Sequence, residues 1–239
     1  MRWLAGLLLF WAVPAAAVTC EDVIYQGYSY TACTVDVASE NLSLFHKDTE
    51  GAVIGSFGGI EDLPDVGSLA FAMNAGMYHD DRSPVGHYVE DGVETMRVIP
   101  NAGPGNFGLL PNGVFCINDD SAQVYETLDY VDRAPTCRDA TQSGPMLVID
   151  GALHSRFLVN STSRFVRNGV GTSADGATAV FVISNDGVTF HEFGSFFRDY
   201  LELPNALYFD GKVSRLFARA QGRSDFGFQS LGPMVAVTE

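Results

Sequence analysis

Many short apolar stretches separated by turns, one well-defined amphipathic helix and a length that suits one core predict an α+β fold. The expected architecture is a strand-rich mixed sheet with two or three helices in a single domain. The 239 residues are 46% hydrophobic, enough for a sizeable core, and the 25 Gly supply the turns.

The chain opens with the pattern of a secretory signal. Arg2 is the charged start, Trp3 to Val13 an apolar run too short to span a bilayer, and Pro14-Ala-Ala-Ala17 a small-residue cleavage site. Residues 1–17 are therefore expected to be removed, leaving 18–239 as the domain. All four Cys (20, 33, 116 and 137) follow that site, and an even number in an exported chain points to disulfides. The pairs Cys20–Cys33 and Cys116–Cys137 close the shortest loops and are favoured among the three pairings.

Tyr30 to Val37 alternates with period two, and Leu42 to His46 reads as its hairpin partner. A helix weakened by Pro64 and Gly67 is expected over Ile60 to Ser68. Leu69–Met73, Gly113–Ile117, Met146–Ile149, Ala177–Ser184 and Ala206–Phe209 read as buried strands. Asn185-Asp186-Gly187 signals a hairpin turn. The clear helix is marked by Phe193, Phe196, Phe197, Tyr200 and Leu201, which fall on one face. Thr189 and Glu192 form a capping-box pair ahead of it, and Pro204 ends it. A third helix is expected after Asp210.

The net charge is −15, with 12 Arg and only 2 Lys. No basic stripe is present, which excludes nucleic acid as a partner. After removal of the leader no stable membrane insertion is expected. Gly103-Pro-Gly-Asn-Phe-Gly108 matches a dinucleotide fingerprint but is followed by Leu-Leu-Pro-Asn-Gly instead of a helix. His79, Asp80, Asp81 and His87 lack a diagnostic metal spacing, so no metal or cofactor is expected.

The informative stretch is 74–92, where the apolar run Leu69–Met73 stops at Asn74 and polar groups crowd together. It is the first of several polar clusters that follow apolar runs. The others are Pro111-Asn-Gly-Val-Phe115, Gln142-Ser-Gly-Pro145, Arg167-Asn-Gly-Val-Gly171 and Phe209-Asp-Gly211. Each joins a Gly to a polar or charged side chain, and strand ends of this kind converge on a cleft when the strands share a sheet. In this order, from about Leu69 to Phe217, the series resembles the phosphodiester glycosidase family, which includes the uncovering enzyme and exported bacterial homologues. One departure stands out: Asp210-Gly-Lys-Val-Ser214 carries Lys212 and Val213 where the uncovering-enzyme branch has small residues, so the cleft wall should differ.

The resemblance implies hydrolysis of a sugar-1-phosphodiester at the C1–O bond, with a carbohydrate or sugar-phosphate as substrate. Such a reaction passes through an oxocarbenium-like state and expels a phosphate ester. The leaving group needs positive charge and donors more than a strong acid. Arg167 is expected to clamp phosphate and Asp210 to face the anomeric carbon or activate water. Asn74, Asn112 and Ser143 are expected to orient substrate oxygens, with Gly76 and Gly144 allowing close approach. His87 is a candidate proton carrier, since its ordinary pKa lies nearest neutrality. The alternative is a non-catalytic exported glycan-binding or envelope-associated module on the same fold.

Overall fold

The computed structural model describes residues 18–239; the expected signal peptide lies outside them. The strands form three sheets. The first has seven strands, ordered Thr19–Tyr25, Tyr28–Asp36, Thr178–Ser184, Asn168–Thr172, Asn205–Asp210, Met146–Ile149 and Ala152–Leu153. The second has five, ordered Arg223–Ser224, Leu216–Ala218, Leu69–Asn74, Met234–Thr238 and Asn41–Phe45. The third, also of five, runs Val93–Met96, Tyr88–Glu90, Asp139–Ser143, Gly113–Ile117 and Ala122–Glu126. The pairings are antiparallel throughout these sheets, not mixed.

Period-two alternation explains how the sheets pack. Phe181 and Ile183, Val170, and Leu207 and Phe209 point from the first sheet into a central core. Phe71, Met73, Val235 and Val237 of the second sheet and Phe115, Ile117 and Val124 of the third meet them there. The intervening residues face outward under a helix. Val180, Val182, Ala206 and Tyr208 pack against Phe193, Phe196 and Phe197. Ala72, Met234 and Ala236 pack under Phe57 and Ile60 of the short helix Phe57–Glu61. Val114, Cys116 and Ala140 pack under Tyr130 of the helix Thr127–Arg133. Each fully buried aromatic contributes on the order of 2–3 kcal/mol of transfer free energy.

Both expected disulfides are present, Cys20–Cys33 and Cys116–Cys137, spanning 13 and 21 residues. They fit an oxidising compartment. Among the described residues no helix is long and apolar enough to cross a membrane.

Several elements differ from expectation. The hairpin partner of Tyr28–Asp36 is Thr19–Tyr25, while Asn41–Phe45 crosses to Met234–Thr238 near the C-terminus. The reason is that Tyr28–Asp36 is already flanked on both edges, by Thr19–Tyr25 and Thr178–Ser184. Asn185-Asp186-Gly187 does not close a hairpin. Asp186 accepts from the Ser29 amide, and the chain passes into the helix Phe190–Ser195. That helix has the expected capping box between Thr189 and Glu192, and continues as a π-helical turn, Phe196–Tyr200. The helix expected over Ile60 to Ser68 instead starts earlier, at Phe57, because the Ser56 side chain caps it. After Asp210 comes a tight turn, with only a single 3-10 turn at Arg219–Gln221.

Candidate active-site cleft

A cleft of about 810 Å³ opens at one end of the seven-stranded sheet. Its wall includes Tyr78, Arg82, Phe165, Tyr208, Asp210 and Lys212. In the strand Asn205–Asp210, Tyr208 shares the helix-facing side with Ala206, and a register shift opposite Asn168–Gly169 precedes Asp210, which lines the cleft with Tyr208. Asp210 is the last residue of that strand, so its carboxylate reaches the sheet edge.

The turn after Asp210 is held by its own side chain. Oδ1 of Asp210 accepts from the amides of Gly211 (2.6 Å) and Lys212 (2.9 Å). Burial raises the Asp210 pKa from the ordinary carboxylate value, and the amides of Lys212 and Gly211 oppose that rise.

Asn168 fixes the backbone beneath. Its Oδ1 accepts from the Asp210 amide (3.1 Å) and the Ser214 hydroxyl (3.3 Å), while its Nδ2 donates to the Asn74 carbonyl (2.8 Å). The Asn74 side chain in turn donates to the Val213 carbonyl (2.6 Å) and accepts from the Arg215 amide (2.8 Å). Ser143 donates to the Phe209 carbonyl at 2.8 Å. Three buried side chains from three strands thus converge on residues 209–215. Sequence reasoning missed Asn168, although it adjoins Arg167 in the motif already singled out.

Asn112 lies deeper, with its amide on the Phe107 carbonyl and its Oδ1 accepting from Thr127 and Gln142. A side chain at Gly144 would bring Cβ to 2.6 Å from the Asn112 Cβ, so that Gly serves packing. Gly76 has φ +75°, and a Cβ there would lie 2.5 Å from the Thr141 hydroxyl. Asn74, Asn112, Ser143, Gly76 and Gly144 therefore build the frame of the cleft and do not line it.

Arg167 is buried, 1% exposed, with no carboxylate in ion-pair contact among the described residues. Its Nε donates to the Val188 carbonyl at 2.9 Å and its Nη2 to the Ser163 carbonyl at 3.2 Å. The guanidinium lies 3.8 Å from the Phe190 ring centroid, and 5.5 Å from those of Phe165 and Tyr208, both of which line the cleft. Its Nη1 is buried without a partner. Burial lowers the Arg167 pKa, and the nearby Tyr208 hydroxyl opposes this.

Two lining residues share that property. The Tyr78 hydroxyl and Arg82 Nε are buried and unpartnered. Burial, and then the charge of Asp210, raises the Tyr78 pKa. Arg82 also packs on the Tyr78 ring, 5.6 Å from its centroid. Arg82 was not singled out by the sequence; the only signal was its place in the 74–92 stretch. Lys212 and Val213 form part of the wall, as the altered Asp210-Gly-Lys-Val-Ser214 segment predicts.

His87 is not brought to this cleft. Its Nδ1 lies 3.0 Å from the Met96 carbonyl and its Nε2 3.0 Å from the Tyr130 hydroxyl, so both ring nitrogens are occupied. Burial lowers its pKa. Of the other polar groups in 74–92, His79 and Asp80 line the cleft, while the Asp81 carboxylate is taken up by Ser83. Among the described residues no three His, Cys, Asp or Glu side chains are grouped to hold a metal ion.

Residues 67–235 match the family model for phosphodiester glycosidase. The uncharacterised Escherichia coli (strain K12) protein YigE is 30% identical over 210 residues, covering 87% of this chain and 82% of that one. Two solved structures are similar at 14% identity. One is the catalytic domain of zebrafish N-acetylglucosamine-1-phosphodiester alpha-N-acetylglucosaminidase, auto-inhibited by its pro-peptide. Its TM-score is 0.61, over 93% of this chain and 82% of that one. The other is a hypothetical protein from Synechocystis, with a TM-score of 0.60 over 92% and 61%. At that identity they show the shared fold alone.

Proposed function

Since the chain belongs to the phosphodiester glycosidase family, we propose that it is an exported hydrolase that cleaves a sugar-1-phosphodiester in an envelope or extracellular glycan. The observation that carries this reading is the set of unpartnered buried groups. Five buried side-chain polar atoms lack a partner among the described residues, and three belong to Tyr78, Arg82 and Arg167. Two of these residues line the cleft that holds Asp210, and the third lies behind its wall. An unmet buried donor costs about 1–3 kcal/mol, so a ligand that satisfies it gains what the free protein lacks. The guanidinium groups and Lys212 suit an anion, and the carboxylate suits an electron-poor carbon.

In this mechanism Arg82 and Lys212 face the phosphate, and the Phe165 and Tyr208 rings must part for Nη1 of Arg167, buried behind them, to bind one of its oxygens. The C1–O bond breaks and its electron pair leaves on the phosphate oxygen, where the cations stabilise it. Because that oxygen belongs to a weakly basic phosphate, it needs no protonation by His87. Water forms the new bond to C1, and its proton passes to the Asp210 carboxylate and then to solvent. Burial of Asp210 makes it a better proton acceptor than an exposed Asp. Asn168, Asn74 and Ser143 act one step removed, by holding the turn that carries Asp210.

Residues 18–239 would be assayed on a panel of sugar-1-phosphodiesters beside Arg167→Ala and Asp210→Asn. Each substitution should lower kcat/KM by about a hundredfold or more. Equal sugar release by all three proteins would refute the site. Tight glycan binding without release from any diester would favour the non-catalytic alternative.

A further inference from the structure

The cleft does not end at Lys212. Lys212, Val213 and Gln229 also line a neighbouring hollow that includes Arg215, and this hollow runs on to Phe226 and beyond. The result is a continuous groove along one rim of the molecule. Three features of it have no structural duty. Lys212 and Arg215 make no ion pair among the described residues, whereas Arg223 and Asp225 beside them neutralise each other at 2.9 Å. Phe226 and Phe228 are 82% and 99% exposed, the two most exposed large apolar side chains described. Their rings lie 5.4 Å apart, and the Arg215 guanidinium lies against Gly227 between them, where a Cβ would collide with it.

In a chain of net charge −15, Lys212 and Arg215 give the groove two cations without an ion pair among the described residues, beside Asp210 and Asp225. Along the groove come Arg82, with Arg167 buried behind the wall, then Lys212 and Arg215, then the aromatic pair. Cations match phosphate, and aromatic faces match the apolar faces of a sugar ring. We propose that the groove binds an oligomer of alternating sugar and phosphate, with a second phosphate on Lys212 and Arg215 and the next sugar on Phe226 and Phe228. This rests on the diester reading of the Asp210 cleft and extends it. The substrate becomes a repeating glycosyl phosphate chain in place of a single capped sugar.

Synthetic glycosyl phosphate oligomers of one, two and three repeats test it. In the wild type, kcat/KM should rise by about tenfold from one repeat to three, as binding to remote groups is added. The double variant Phe226→Ala/Phe228→Ala, whose side chains support no core, should lose that gain and keep the one-repeat rate. Arg215→Gln should do the same. Equal rates at every length, or a variant that loses all lengths in proportion, would overturn the proposal. If no oligomer is cleaved, the hydrolase reading fails while the groove can still be judged. Calorimetric binding of the three-repeat oligomer, weakened by about tenfold in the double variant, would uphold the groove, and binding unchanged in it would overturn it.

Discussion

Arg167 sits in the molecule without a counter-ion, and this separates it from an ordinary structural arginine. Six other arginines among the described residues are ion-paired: Arg133, Arg138, Arg164, Arg198, Arg219 and Arg223. Arg167 instead has two backbone carbonyls and an aromatic face, and one nitrogen left over. Burying a charge this way costs several kcal/mol in the free protein, on the order of what a bound anion would return. Inorganic phosphate should therefore stabilise the wild type against thermal unfolding. At a hundred times its dissociation constant the gain would be about 2.7 kcal/mol. Arg167→Met should abolish the gain while keeping the apolar contact with Phe190. An equal phosphate effect in both proteins would show that the anion binds elsewhere. In the sequence Asp210 stands directly before Gly211 and Arg167 two residues before Gly169, each at the edge of an apolar run. Arg82 was hidden because nothing local distinguishes an arginine that faces a cleft from one that faces water.

At the scale of elements, what fixes Asp210 is the meeting of strands far apart in sequence. Asn168 joins its strand, Asn168–Thr172, to Asn205–Asp210 and to the end of Leu69–Asn74 through one hydrogen bond each, and holds Ser214 of the turn through a third. Asn168→Ala should free the 210–214 turn and let water reach the carboxylate. The acid limb of kcat against pH would then move down toward the ordinary Asp value of 3.8. The sign follows from burial: Asp210 works as the anion, its raised pKa places the loss of activity higher, and hydration reverses that. A fall in kcat with the limb unmoved would show that Asn168 only supports the fold. The local elements were the legible ones. The capping box of Thr189 and Glu192 is a contact of three residues' span, and it is present as read. Thr189→Ala should cost about 1 kcal/mol in urea unfolding. The helix Thr127–Arg133 was not legible, since Leu128 and Val131 are exposed and no apolar stripe forms. The strand Thr19–Tyr25 was missed for a similar reason: among its residues only Val23 is buried. Pairings such as Asn41–Phe45 with Met234–Thr238 leave no short-range mark at all.

Over the whole molecule, stability should carry the imprint of acids trapped where the two five-stranded sheets meet. Tyr88 donates to Glu90 at 2.7 Å, and Asp139, 2% exposed, pairs with Arg138 at 3.0 Å. Arg138 also reaches the Leu42 carbonyl and Ser43 of the second sheet. Burial pushes Glu90 from 4.5 up to about 7, and it raises Asp139 too. A carboxyl whose pKa is higher folded than unfolded favours the native state while protonated. Its contribution is complete below about pH 4.5 and is lost as pH rises through about 7. The shift corresponds to about 3 kcal/mol at most. His46, His87 and His154 act in the opposite sense, because burial lowers each of them and folding must keep them neutral. Their contribution is lost as pH falls through about 6.5. The raw stability profile therefore mixes two opposing titrations over nearly the same window. Comparison with Glu90→Gln separates them, since the histidines cancel in the difference. Relative to wild type, Glu90→Gln should gain stability progressively from about pH 4.5 to about 7 and then level off. A difference that stays flat across that range would mean Glu90 ionises in the fold as readily as in water, and that the sheet junction is solvated.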